Sequence, residues 1–138
     1  MIGIVIVAHG GLAREYLAAV EHVVGPQTGI RAISIEEDHD RGGKQSEIST
    51  EADAVDEGEG VVVVTDLFGG SPSNLSMRAC AGRDRVILSG ANLPMLLKLA
   101  KSRHLPLEDA VTAASEAGRK YIDAYAVSGS PRRRKITP

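Results

Sequence analysis

A chain of 138 residues, 43% apolar and 25% charged, suits one domain of radius about 14 Å with a true core and is short for two. Aromatic residues make up 3% and Trp is absent, so the core must be built from Val, Ile, Leu and Ala, and stacking platforms for single-stranded nucleic acid are disfavoured. The net charge is −2, one cysteine rules out an internal disulfide framework, no apolar stretch is long enough to cross a bilayer, and no cation precedes the first apolar run as in a signal peptide; the expected setting is the cytoplasm.

The chain opens on Ile2, Ile4, Val5, Ile6 and Val7, β-branched and apolar on both faces, a run that predicts a doubly buried strand ending at Ala8-His9-Gly10-Gly11. Leu12, Tyr16, Ala19, Val20, Val23 and Val24 then recur at three- and four-residue steps, predicting an amphipathic helix stopped by Gly25-Pro26. Ile30 to Ile35 alternates like a sheet-edge strand, and an acidic loop leads into a weak helix over Lys44 to Asp56. Val61 to Val64 is the strongest strand signal and predicts a central strand that runs into Thr65-Asp66-Leu67-Phe68-Gly69-Gly70-Ser71-Pro72. A short helix is expected from Ser73 and Asn74, a strand over Arg85 to Ser89, and a helix with Pro94 in its first turn. After Pro106, Leu107, Ala110, Val111, Ala114 and Ala117 mark a last amphipathic helix, and Tyr121 to Val127 fits either its continuation or a closing strand.

Charge is distributed unevenly. Glu36 to Glu59 holds ten acidic residues against Arg41 and Lys44, whereas Arg132, Arg133, Arg134 and Lys135 form a basic end. The acidic run reads as a solvated face, with attraction of a basic partner as the sharper alternative. The expected organisation is one domain over 1–127 and a basic, flexible tail over 128–138; a lone basic patch does not make a nucleic-acid binder.

Alternating strands and helices predict an α/β fold, a three-layer sandwich around a mainly parallel sheet ordered 2-1-3-4. In that order a crevice opens beyond the C-terminal ends of strands one and three, where His9 and Asp66 fall. An imidazole beside two glycines can serve as base, ligand or nucleophile. A carboxylate at Asp66 would fix its tautomer and turn the second ring nitrogen outward, or would instead cap amides of its own loop. Gly69-Gly70 lets amides approach a phosphate, and Ser71 adds a hydroxyl before a helix N-terminus; a tight turn accounts for the same letters. Asn92 reads best as a helix cap. His22, His39 and His104 lack metal-ligand spacing and Cys80 reads as packing, so neither a metal nor a cofactor is expected.

Three stretches carry a resemblance: His9-Gly10-Gly11-Leu12-Ala13, Asp66-Leu67-Phe68-Gly69-Gly70-Ser71-Pro72-Ser73-Asn74, and Gly90-Ala91-Asn92-Leu93-Pro94-Met95-Leu96. Together they resemble the mannose-type enzyme IIA (EIIA) domain of the bacterial phosphoenolpyruvate:sugar phosphotransferase system, over Met1 to about Tyr125. The resemblance implies a phosphotransferase that takes a phosphoryl group from the histidine phosphocarrier protein on His9 and passes it to a IIB component or into a regulatory phosphorelay. It further implies Asp66 as the partner of His9, Phe68, Gly69, Gly70 and Ser71 around the phosphoryl group, and Gly10 and Asn92 in support. A homodimer that exchanges a C-terminal strand is also implied, which would occupy Tyr121 to Val127. With no IIB segment after the tail, a stand-alone IIA is the expected form. Three rivals share the fold. A receiver would use Asp66 and Ser89, but Ala8-His9 replaces its acidic pair; a histidine phosphatase would need an arginine where Ala8 stands; a flavin-binding module would need aromatic residues that the loops lack.

Overall fold

The computed structural model describes residues 1–127 and 134–135. Four strands, β1 (Gly3–His9), β2 (Ile30–Ile35), β3 (Val61–Thr65) and β4 (Arg85–Ser89), form one parallel sheet in the order β2-β1-β3-β4. Five helices connect and flank them: α1 (Leu12–Val24), α2 (Arg41–Val55), α3 (Ser71–Cys80), α4 (Leu93–Lys101) and α5 (Leu107–Lys120). The α/β architecture and strand order are those expected from the sequence.

The period of two along the strands divides the core. Ile4, Ile6 and Ala8 of β1 and Val62 and Val64 of β3 pack with Ala13, Val20, Leu96, Leu99, Ala110 and Ala114 from α1, α4 and α5. Val5, Val7, Val61 and Val63 point to the other face and meet Ile48, Ala52, Val55 and Leu75 from α2 and α3. A strand buried on both faces needs an apolar residue at every position, which is why the openings of β1 and β3 show no alternation. Gly3 meets that crowding differently: a methyl there would overlap the Val55 carbonyl oxygen and side chain.

Two helices start earlier than expected. α2 begins at Arg41, three residues before Lys44, because Ile48, Ala52 and Val55 anchor it at helical spacing despite Gly42-Gly43. α3 begins at Ser71, with Pro72 in its first turn, where a missing N–H costs nothing. After α5, Tyr125–Ala126 (β5) pairs antiparallel with Arg134–Lys135 (β6) and does not join the four-stranded sheet. The segment is thus neither a helix extension nor, within one chain, a closing strand of the main sheet; the rest of the expected basic tail lies outside the described residues. At the opposite end of the sheet from His9, the buried Arg103 ties the start of β1 to the α1–β2 turn through the carbonyls of Ile2, Thr28 and Gly29.

Candidate functional site

The register Val7 to Thr65 brings the last residue of β1 and the first residue after β3 side by side. Asp66 Oδ2 accepts from the His9 main-chain N–H at 3.0 Å and from His9 Nδ1 at 2.8 Å, while its Oδ1 accepts from Leu67 N–H at 3.1 Å. Both readings of this carboxylate are therefore realised at once: it partners the ring and caps its own loop. Burial pushes the Asp66 carboxyl upward, but the hydrogen bonds from the His9 main chain and ring outweigh it and hold the group below its ordinary value. An ionised carboxylate only accepts, so Nδ1 carries the proton and Nε2 presents its lone pair. The His9 side chain is 47% exposed and that of Asp66 8%, which makes one accessible and the other its fixed support.

On the other side of the ring lies Gly70. A methyl at that position would stand 3.2 Å from His9 Cε1 and 3.7 Å from Nε2, so the glycine is what leaves the nitrogen open. Gly69, at φ +91°, makes the turn that delivers Gly70 and the α3 N-terminus to the ring. No side chain caps α3, and its first-turn amides face a region favourable to anions. Gly10, at φ +55°, turns the chain away after His9.

His9, Gly10 and Ser71 line a cleft of about 440 Å³ together with Ile35, Glu36, Glu37 and His39. Two expected residues stand elsewhere. Phe68 is 80% exposed and borders a neighbouring hollow with Met77, Cys80 and Arg85. Asn92 caps α4 by accepting from Met95 N–H at 3.0 Å and donates to the Gly118 carbonyl at 2.8 Å, tying α4 to α5. Burial raises the Cys80 thiol, in keeping with a packing role.

His39 is the residue that sequence reasoning left among scattered histidines. The signal for it was topological: its loop follows β2, whose end Ile35 pairs with His9, and loops after parallel strands gather at one edge. Among the described residues no group of three or more His, Cys, Asp or Glu is arranged to hold a metal ion, and no helix is long and apolar enough to cross a membrane.

The model of the mannose-type EIIA family, described as the PTS system fructose IIA component, matches residues 3–116. The chain belongs to this family. The mannose-specific EIIAB component of the phosphotransferase system from Escherichia coli strain K12 is 27% identical over 126 residues, covering 89% of this chain and 39% of that protein. The chain thus spans about two-fifths of the length of the curated relatives it matches. The crystal structure of the phosphotransferase component EIIA from Streptococcus agalactiae superposes with a TM-score of 0.80 at 28% identity, over 88% of this chain and 95% of that one. The mannose/sorbose-specific IIA subunit from Enterococcus faecalis shares the fold, with a TM-score of 0.82 at 21% identity over 94% of this chain and 98% of that one. Membership of the family implies a phosphoryl-carrier role, and IIA components in general are phosphotransferases.

Proposed function

We propose that His9 carries the phosphoryl group on Nε2. It receives the group from the phosphohistidine of the histidine phosphocarrier protein and passes it to a IIB component or a regulatory acceptor. The Nε2 lone pair attacks phosphorus in line with the donor's P–N bond; that bond breaks and its electron pair returns to the donor ring. Nδ1 keeps its proton, and the positive charge gained by the His9 ring faces the Asp66 carboxylate. The Ser71 hydroxyl and the amides around Gly69, Gly70 and Ser71 meet the phosphoryl oxygens, Gly10 shapes the rim, and the exposed Phe68 ring is offered to the partner protein. Asn92 supports the arrangement at a distance by holding α4. The observation that carries this reading is the 2.8 Å bond from Nδ1 to Asp66, which leaves Nε2 as the free nucleophile.

The receiver alternative loses support because Asp66 is already engaged by three N–H donors and Ser89 accepts a hydrogen bond from Thr65 at 2.8 Å. A flavin has no Phe, Tyr or Trp to stack on among the described residues of the cleft. The same reading makes the protein cytoplasmic and, by likeness to its family, a homodimer. β4 lies at the end of the sheet order, and Tyr121, Ile122, Tyr125 and Val127 of the C-terminal segment are exposed, as a strand-exchanging pair would require. Sedimentation of the full chain at twice the monomer mass tests that part.

Incubation with phosphoenolpyruvate, enzyme I and the phosphocarrier protein is expected to yield one label, acid-labile and alkali-stable, on His9. An acid-stable label, or undiminished labelling of His9→Ala, refutes the assignment.

A further inference from the structure

The cleft of His9 contains a second imidazole with an unmet nitrogen. In the loop between β2 and α2, the Glu36 carbonyl oxygen accepts from the His39 main-chain N–H at 3.3 Å and from the ring Nδ1 at 2.7 Å. A carbonyl oxygen cannot donate, so Nδ1 holds a proton whatever the charge of the ring. Gain or loss of charge is therefore confined to Nε2. That atom is shielded from solvent and has no hydrogen-bond partner, although its ring lines the same cleft as His9 and Ser71. A buried polar atom without a partner calls for an explanation, and a ligand that arrives from outside supplies one.

The charges around the cleft say what that ligand is. The titratable groups lining it are His9, Glu36, Glu37 and His39, with Asp66 bonded behind His9; Asp38 and Asp40 flank His39 in its loop and Arg41 opens α2. Neither lysine nor arginine is among the described lining residues. A phosphoryl group on His9 brings roughly one and a half to two negative charges into this acidic surround. Among the described titratable groups lining the cleft, only the His39 ring can add a positive charge beside that of His9 itself to the neutral donors of Ser71 and the α3 amides.

We infer, resting on the reading of His9 as the phosphoryl carrier, that His39 is a further phosphoryl-binding residue. When the group is on His9, the His39 ring turns about its bond to the Glu36 carbonyl to uncover Nε2, which takes up a proton and donates its N–H to a phosphoryl oxygen. No bond to phosphorus forms at His39; one proton is taken up as the phosphoryl group arrives and is given back when it leaves. Phosphorylation is therefore favoured at lower pH and weakened as Nε2 loses its proton.

The test is the equilibrium of phosphoryl exchange between the full chain and the phosphocarrier protein, measured across the histidine titration range for the wild type, His39→Phe and His39→Gln. Loss of one charge-assisted hydrogen bond should lower the equilibrium constant of His39→Phe about tenfold at about pH 6, with the deficit fading by about pH 8.5. His39→Gln, which donates an N–H without titrating, should recover part of the loss and flatten the profile. Three superimposed profiles, or profiles offset by one constant factor at every pH, overturn the role of His39 while leaving His9 as the carrier. Absence of any label on His9 in the wild type overturns the carrier reading and this inference with it.

Discussion

Gly70→Ala separates folding from phosphoryl transfer within a single methyl group. The Gly70 backbone is extended, at φ −87° and ψ −179°, so alanine fits without strain and narrows the unfolded ensemble, a gain of about 0.4–1 kcal/mol. Against it, the methyl would stand 3.2 Å from His9 Cε1 and 3.2 Å from Leu67 Cδ1, and both side chains must yield by a few tenths of an ångström. A side chain about 30° off its rotamer costs about 0.5–1.5 kcal/mol and these smaller shifts cost less, so the two effects nearly cancel and the melting temperature should move by less than about 4 °C. Transfer has no such compensation. On the proposed reading the methyl, 3.7 Å from Nε2, crowds the approach of phosphorus, and a misplacement near 1 Å costs about 10²-fold in rate. Rapid-quench transfer of labelled phosphoryl from the phosphocarrier protein, run beside thermal unfolding, reads the two quantities separately. Gly82→Ala is the control: at φ +74° with open space around it, alanine there costs about 1–2 kcal/mol of backbone strain, at the far end of β4 from His9. It should lower the melting temperature and leave transfer intact. Wild-type transfer by Gly70→Ala would show that phosphorus does not approach over this glycine.

Asp66→Asn should fold and transfer about 10²- to 10⁴-fold more slowly, because an amide cannot accept from all three N–H donors: with its oxygen on Leu67 N–H its NH2 faces His9 and the wrong tautomer becomes available; an unchanged rate in the quench assay would refute the role of Asp66. The same pair of proteins carries a pH signature. The folded Asp66 is held below its ordinary value, so the stability it adds is whole above that value and is lost as pH falls through the depressed one. The difference in urea midpoint between wild type and Asp66→Asn should stay constant from neutrality to about pH 4 and narrow below it, and a difference that widens in acid would reverse the sign of the argument. Asn92→Ala removes the α4 cap and leaves the Gly118 carbonyl unmet, a loss of about 2 kcal/mol by urea unfolding. Gly3→Ala forces β1 away from Val55 and should cost about 1–3 kcal/mol in the same measurement.

The strands were legible because burial on both faces leaves little choice of residue: Val61 to Val64 can belong only to a central strand, and Ile2 to Val7 nearly so. Helix ends were less legible because packing sets them. Nothing in Arg41-Gly42-Gly43 announces a helix; Ile48, Ala52 and Val55 dock the later turns and draw the first one in. The pairing of His9 with Asp66 was legible from strand order alone, since His9 ends β1 and Asp66 directly follows β3, two strands that the topology makes neighbours. His39 was not, because its value depends on a turn: the Glu36 carbonyl captures both its main chain and its ring, and no local pattern of residue types specifies that closure. Arg103 escaped notice for a related reason. An arginine between Ser102 and His104 looks solvated until the chain delivers three carbonyl oxygens around it.

The site is a consequence of register more than of any one motif. His9 and Asp66 are 57 positions apart in the chain, and what brings them within 2.8 Å is the pairing of Val5 with Val63 and Val7 with Thr65 along two strands that share no turn. A slip of one residue would turn every inward side chain of β1 to the opposite face, set Ile4 and Ile6 against α2 and α3, and carry the imidazole away from the carboxylate in the same movement. The apolar pattern that makes such a slip costly therefore also positions the imidazole. Three loops then contribute different parts at one edge: the ring after β1, the carboxylate and amides after β3, and the second imidazole with its acidic neighbours after β2. Because these parts sit on separate loops over a common rigid sheet, the acidic loop can change its exposed residues while the bond from Nδ1 to Asp66 stays as it is.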